Sequence, residues 1–177
     1  SIMLVALTGT PGTGKSTAAE LLRHRGREVR EISDIVRSGK VSTVLDEERG
    51  SLEVDTEELD EVVGKELEGR DALLLGHLSH FLSVDLIIVL RCRPSVLAER
   101  LRVRGWSDDK VGENVEAEGC DVILVEAVEN GAEVAEIDTT DLPAERVADA
   151  IEEVLAGERE KYAAGHVDWS DEVMGWF

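Results

Sequence analysis

Residues 9–16 read Gly-Thr-Pro-Gly-Thr-Gly-Lys-Ser, a G-x-x-x-x-G-K-S string. Glycines at these spacings let the backbone bend so that its amide hydrogens converge on an anion. Lys15 then supplies a point charge for the outer phosphates of a nucleoside triphosphate, and the Ser16 hydroxyl is a magnesium ligand. Phosphoryl transfer needs further cations to neutralise the moving charge and to hold the acceptor. Arg100 and Arg104 lie four apart, on one face of a helical stretch that ends at Gly105. Two guanidiniums beside such a break can clamp a transferring phosphate. A solvated basic face paired with Glu99 is the alternative. Arg37 follows the second apolar segment, one turn after Ser33, which reads as a helix N-cap. It is placed to grip the phosphate of an acceptor, or else to face water. His77, in Gly-His-Leu-Ser-His over 76–80, follows the third apolar segment. It can orient a water or a phosphate oxygen, or serve as a hydrogen-bonded structural residue. His77 and His80 have i, i+3 spacing, but no third ligand makes them a metal pair.

These groups need a frame. Apolar segments at Ile2 to Leu7, Glu28 to Ile32, Ala72 to Leu75, Leu86 to Leu90 and Ala132 to Ile137 read as strands. Helical patterns fall between them, at Thr17 to Arg25, Thr56 to Leu67, Ser95 to Val103, Asp108 to Glu129 and Pro143 to Ala156. The alternation predicts an α/β fold, a five-stranded parallel sheet with helices on both faces. The phosphate loop lies at the carboxyl end of the first strand. The polar stretch Gly39 to Val54 and the break at Arg104 to Asp109 lie at the same edge, where ligands bind, and read as substrate covers.

Composition bounds the partners. The chain has 177 residues, enough for one domain with a proper core. Aromatic residues make up only 3%, so that core must be aliphatic. Lys and Arg number 19 against 39 Asp and Glu, a net charge of −20. Such a surface repels phosphate backbones and argues against direct nucleic-acid binding. Adaptation to high salt, consistent with only five lysines, and an acidic face that docks a basic protein both account for the charge. Cys92 and Cys120 form no disulfide framework and read as free thiols of a reducing cytoplasm. No run of residues is apolar for the length of a membrane span. The segment from Gly157 onward carries Tyr162, Trp169, Trp176 and Phe177. These rings suit packing back on the domain and partner binding equally.

The loop motif, Asp34-Ile35-Val36-Arg37, the Gly-His-Leu-Ser-His element, Glu99-Arg100-Leu101, Arg104-Gly105-Trp106, Asn114 and Val125-Glu126-Ala127 occur in this order. Together they resemble the adenylate-kinase-related nucleoside monophosphate kinases of archaea, cousins of the coilin-interacting nuclear ATPase of small-subunit ribosome maturation. The resemblance spans residues 2–156. It implies a single P-loop kinase domain over 1–177, with a monophosphate-binding insert near 33–54, a short lid near 103–113 and an aromatic tail over 157–177. It also implies ATP contacts at Gly12, Thr13, Gly14, Lys15, Ser16 and Thr17, with Arg104 closing from the lid. Asp34 and Arg37 would meet the acceptor monophosphate, and Lys15, Arg100, Arg104 and His77 would serve catalysis. Magnesium would sit on Ser16. The pattern departs at Leu75, where the family usually has Asp or Glu. The implied activity is transfer of the ATP γ-phosphoryl to AMP or another monophosphate, with ATPase activity and a basic small-subunit ribosomal protein as partner. An assembly ATPase with little kinase activity is the alternative reading, and a P-loop kinase of another small metabolite a second.

Overall fold

The computed structural model describes residues 3–48 and 51–177. Period-two burial builds its central sheet. In β1 (Leu4–Gly9), Val5 and Leu7 point to one face and Ala6 to the other. In β5 (Ala72–Leu75), Leu73 and Leu75 share the first face, while Ala72 and Leu74 take the second. β6 (Leu86–Arg91) repeats the pattern, with Leu86, Ile88 and Leu90 opposite Ile87 and Val89. With β2 (Val29–Glu31) and β7 (Glu133–Asp138) they form a five-stranded, wholly parallel sheet of order β2-β5-β1-β6-β7. Strands this apolar must be covered on both sides.

The first face is covered by α1 (Lys15–His24) and α7 (Ala144–Leu155), through Ala18, Ala19, Leu22, Ala148, Ile151 and Val154. The second is covered by α3 (Thr56–Glu66), through Leu59 and Val63, and by α6 (Val122–Asn130), through Ala127. A satellite core joins α4 (Pro94–Val103) to α5 (Asp108–Gly119), with Leu97, Leu101 and Val111 at its centre. α2 (Ile32–Arg37) follows β2 directly. The parallel α/β class predicted from the strand alternation is the observed one.

Several expectations need correction. The long helix over 108–129 is two helices. Asp121 has φ of 57°, a left-handed conformation that a helix interior does not allow, and the chain turns there. Ser33 is not an N-cap, because α2 already begins at Ile32 with Glu31 in the capping position. Pro143 caps α7 from outside and does not enter its first turn. The polar stretch 39–54 carries a hairpin outside the main sheet, its β3 (Thr43–Asp46) pairing antiparallel with β4 (Ser51–Val54). Gly50, and Ile2 of the first predicted strand, lie outside the described residues. Part of the C-terminal segment packs back on the domain. Tyr162 and Trp169 are buried, and Ala163 bridges to Ala135 of β7. Phe177, beyond the short α8 (Ser170–Met174), is fully exposed at 100%.

Candidate active site

The loop between β1 and α1 holds its shape by backbone geometry and by α4. Gly12 has φ of 93°, and a Cβ there would come within 2.8 Å of Leu97 Cδ1 and 2.9 Å of Leu101 Cδ2. Gly14, at φ 101°, caps α1, so the amides of the first helical turn face the loop. Thr13 closes the turn, its amide donating to the Thr10 carbonyl at 3.2 Å and its hydroxyl to the same oxygen at 2.8 Å. Lys15 folds back, its Nζ donating to the Gly9 carbonyl at 2.5 Å and the Thr10 carbonyl at 3.1 Å. Part of its stem reaches the surface, but the ammonium is enclosed. Desolvation first, and the nearby Arg104 charge second, push its pKa down from 10.5 to about 8. Ser16 and Thr17 are exposed on the open side of the helix.

Two cavities of about 500 Å³ each flank this loop. The first lies between the glycines Gly12 and Gly14, the end of α4 with Arg100, Val103 and Arg104, and the segment that leads into α7, with Thr139 and Leu142. The second lies beyond Lys15 and Ser16, against Ser33 and Arg37 of α2, Val54 of the hairpin, and Leu75, Gly76 and His77 after β5. The two lie on either side of the loop, Gly14 lining the first and its neighbour Lys15 the second.

The predicted residues divide by placement. Gly12, Thr13, Gly14 and Thr17 line the first cavity, and Lys15 and Ser16 the second. Arg37 lines the second and is paired with Asp34, both exposed. Arg104 lines the first, and its guanidinium has no hydrogen bond or ion pair to any described residue. Arg100 differs. Its Nη2 donates to the carbonyls of Thr139 at 2.9 Å and Thr140 at 3.2 Å, and its Nη1 to the Gly12 carbonyl and Thr139 Oγ1, both at 3.3 Å. This guanidinium braces the loop against the segment that follows β7. His77 sits exposed at the rim of the second cavity. Its pKa is lowered by desolvation first and by the Lys15 charge next. His80 points elsewhere. It is wholly buried, with Nδ1 2.9 Å from Thr8 Oγ1 and Nε2 3.0 Å from Glu126 Oε1. Among the described residues no group of three or more His, Cys, Asp or Glu is placed to hold a metal ion.

Sequence reasoning missed a buried network beneath the loop. Arg91, at the end of β6, donates to Glu118 at 2.8 Å and Glu136 at 2.7 Å, and pairs with Asp121 at 2.5 Å. Burial alone would lower its pKa, but the three carboxylates outweigh it and hold the guanidinium charged. Thr139, its hydroxyl 2.8 Å from the Thr13 carbonyl oxygen and 2.9 Å from that of Arg91, was missed as well. An arginine closing an apolar strand was the one available signal for the network.

Comparison with known proteins agrees with this geometry. A family model described as an AAA domain matches residues 5–121. A protein of Archaeoglobus fulgidus named "putative adenylate kinase" is 48% identical over 174 residues, covering 97% of this chain and 94% of its own. Proteins of the same name from Thermococcus kodakarensis and Natronomonas pharaonis are 45% and 44% identical, each over 97% of this chain and 97% and 100% of theirs. The chain belongs to this adenylate-kinase-like family of archaea. Among solved structures, shikimate kinase of Bacteroides thetaiotaomicron superposes with a TM-score of 0.56 at 17% identity, over 88% of this chain and 99% of that one, a likeness of fold alone. Membership supports a nucleotide kinase that uses ATP, typically with magnesium. The donor set here fits a magnesium ion held mostly by water and phosphate oxygens, since Ser16 offers one hydroxyl and Leu75 none. No helix among the described residues is long and apolar enough to cross a membrane.

Proposed function

We propose that the protein transfers the γ-phosphoryl group of ATP to a nucleoside monophosphate, with AMP as the preferred acceptor. The observation that carries this reading is the pair of equal cavities that flank the phosphate loop, one lined by Gly12 and Gly14 and the other by Lys15 and Ser16. An ATPase needs one nucleotide pocket. A second pocket, lined by Lys15 and Ser16 of the same loop and by Arg37, suits a second phosphate-bearing substrate. In the reaction an acceptor phosphate oxygen attacks the γ-phosphorus in line, and the bond from that phosphorus to the β–γ bridging oxygen breaks, giving ADP and a nucleoside diphosphate. Magnesium, when bound, supplies positive charge to the phosphates. Lys15 leaves the Gly9 and Thr10 carbonyls to pair with them. The loop amides bind the β-phosphate, Arg104 swings from the end of α4 over the transferring group, and Arg37 holds the acceptor. Arg100 keeps the loop fixed, and His77 makes one hydrogen bond at the acceptor side.

A second reading, an assembly ATPase acting on a basic small-subunit ribosomal protein in ribosome maturation, is favoured by two observations. Val122, Val125 and Val128 stand exposed along α6 among acidic neighbours, and Leu75 offers no carboxylate to position magnesium. A coupled assay separates the two. Kinase activity appears as ADP formation that depends on AMP and yields two ADP per ATP. Hydrolysis indifferent to AMP and stimulated by a basic ribosomal protein supports the second reading and overturns the first. The assay is run at low and at molar salt, because the net charge of −20 suits a protein that works in brine.

A further inference from the structure

Under the phosphate loop lies one buried carboxylate with four partners. Glu118, 2% exposed, ends α5. Its Oε1 accepts the Thr10 hydroxyl at 2.8 Å. Its Oε2 accepts Arg91 Nε at 2.8 Å, the Cys92 amide at 3.1 Å and the indole Nε1 of Trp169 at 3.0 Å. Trp169, 4% exposed, belongs to the C-terminal segment and lies under the Arg93 guanidinium, 5.2 Å from the ring centre. One side chain thus joins the phosphate loop, the end of β6, α5 and the tail.

The contact falls on a sensitive atom group. The Thr10 carbonyl already accepts Lys15 Nζ, Thr13 N and Thr13 Oγ1. A triphosphate must draw Lys15 away from it, and a loop left without that tether relaxes unless another contact fixes it. A hydroxyl-to-carboxylate hydrogen bond is the only side-chain bond of Thr10 among the described residues and is of the stronger, charge-assisted kind. The Glu118 charge also reaches Lys15, where it opposes the loss of the proton.

We propose that Glu118 is a positioning residue for nucleotide binding. Through Thr10 it holds the loop in its phosphate-binding shape, and through Trp169 it makes the C-terminal segment part of that support. The proposal rests on the loop binding ATP, as above. The site of intervention is Thr10, because removing Glu118 would strip Arg91 of a buried partner and put folding at risk. Thr10→Val deletes the hydroxyl and leaves the other three bonds to Glu118. Calorimetry with ATP and magnesium on the full chain is expected to show Thr10→Val binding about tenfold more weakly than wild type. Thr10→Ser, which keeps the donor, should bind within about twofold. Trp169→Phe, which removes the indole donor, should weaken ATP binding severalfold, with the apparent melting temperature of nucleotide-free protein followed in parallel. A Thr10→Val protein that binds ATP like wild type overturns the proposal, as does a Thr10→Ser protein that loses as much as Thr10→Val. Wild-type affinity in Trp169→Phe overturns the role given to the tail. Failure of the wild-type chain to bind ATP overturns the nucleotide reading itself and this inference with it.

Discussion

Raising the pH from 7 to 9 should weaken ATP binding about tenfold, and Lys15 is the reason. In the free protein its ammonium has a pKa of about 8, lowered from 10.5 by desolvation and then by Arg104. That depression corresponds to roughly 3 kcal/mol of disfavour for the charged form. Only the ammonium can pair with the outer phosphates, and a bound triphosphate raises the pKa again. Binding therefore takes up a proton wherever the free lysine has lost it. About nine-tenths of the free protein is protonated at pH 7, half at pH 8 and about one-tenth at pH 9, which gives the tenfold loss. A lysine with an ordinary pKa of 10.5 would lose almost nothing over that range. The stability of the nucleotide-free fold runs the other way. Between pH 8 and 10.5 the unfolded chain holds the proton that the folded one has released, so the Lys15 contribution to stability rises with pH in that window. Calorimetric titration at pH 7, 8 and 9, in two buffers of different ionisation enthalpy, measures both the affinity and the proton uptake. Lys15→Arg, which does not titrate, should bind with a flat pH profile. Equal wild-type affinity at pH 7 and 9, or the same decline in Lys15→Arg, refutes the reasoning.

Three substitutions test the remaining roles. Arg104→Ala, which removes an unpaired guanidinium at the donor cavity, should lower kcat by two or more orders of magnitude while changing ATP affinity only severalfold, as rapid-quench kinetics and calorimetry would show. Equal losses in both would mean that Arg104 merely binds. Arg37→Ala should raise the KM for AMP about tenfold or more and leave the KM for ATP unchanged. Leu75→Glu puts a carboxylate on the wall of the acceptor cavity, at a position now 5% exposed. It should lower the melting temperature of the free protein and reduce the magnesium concentration needed for half-maximal turnover, and an unchanged magnesium dependence would show that Ser16 and the substrates suffice.

The sheet was readable because burial on both faces demands uninterrupted aliphatic runs, and Leu73 to Leu75 and Leu86 to Leu90 are such runs. The loop was readable because its glycines and its lysine are close in sequence and each has a distinct physical reason. What escaped notice depends on distant pairs. Thr10 meets Glu118 across 108 residues, and Trp169 meets it across 51. Nothing in the local pattern around Glu118, a charged residue in an acidic helix, marks it as buried. The same holds for Arg100. Its spacing from Arg104 suggests a matched pair, yet the 139–140 segment takes one guanidinium and leaves the other open. The division of the long helix at Asp121 had one sequence mark, Gly119, which ends α5; the left-handed residue that follows is bonded to Arg91.

The claim that two substrates meet across the phosphate loop is tested most directly with one ligand that spans both cavities, two adenosines joined through five phosphates. The account predicts that it binds one per chain, more tightly than ATP or AMP alone, and competes with each of them in calorimetric displacement. Displacement of ATP without any effect on AMP, or affinity no better than that of ATP, would contradict it.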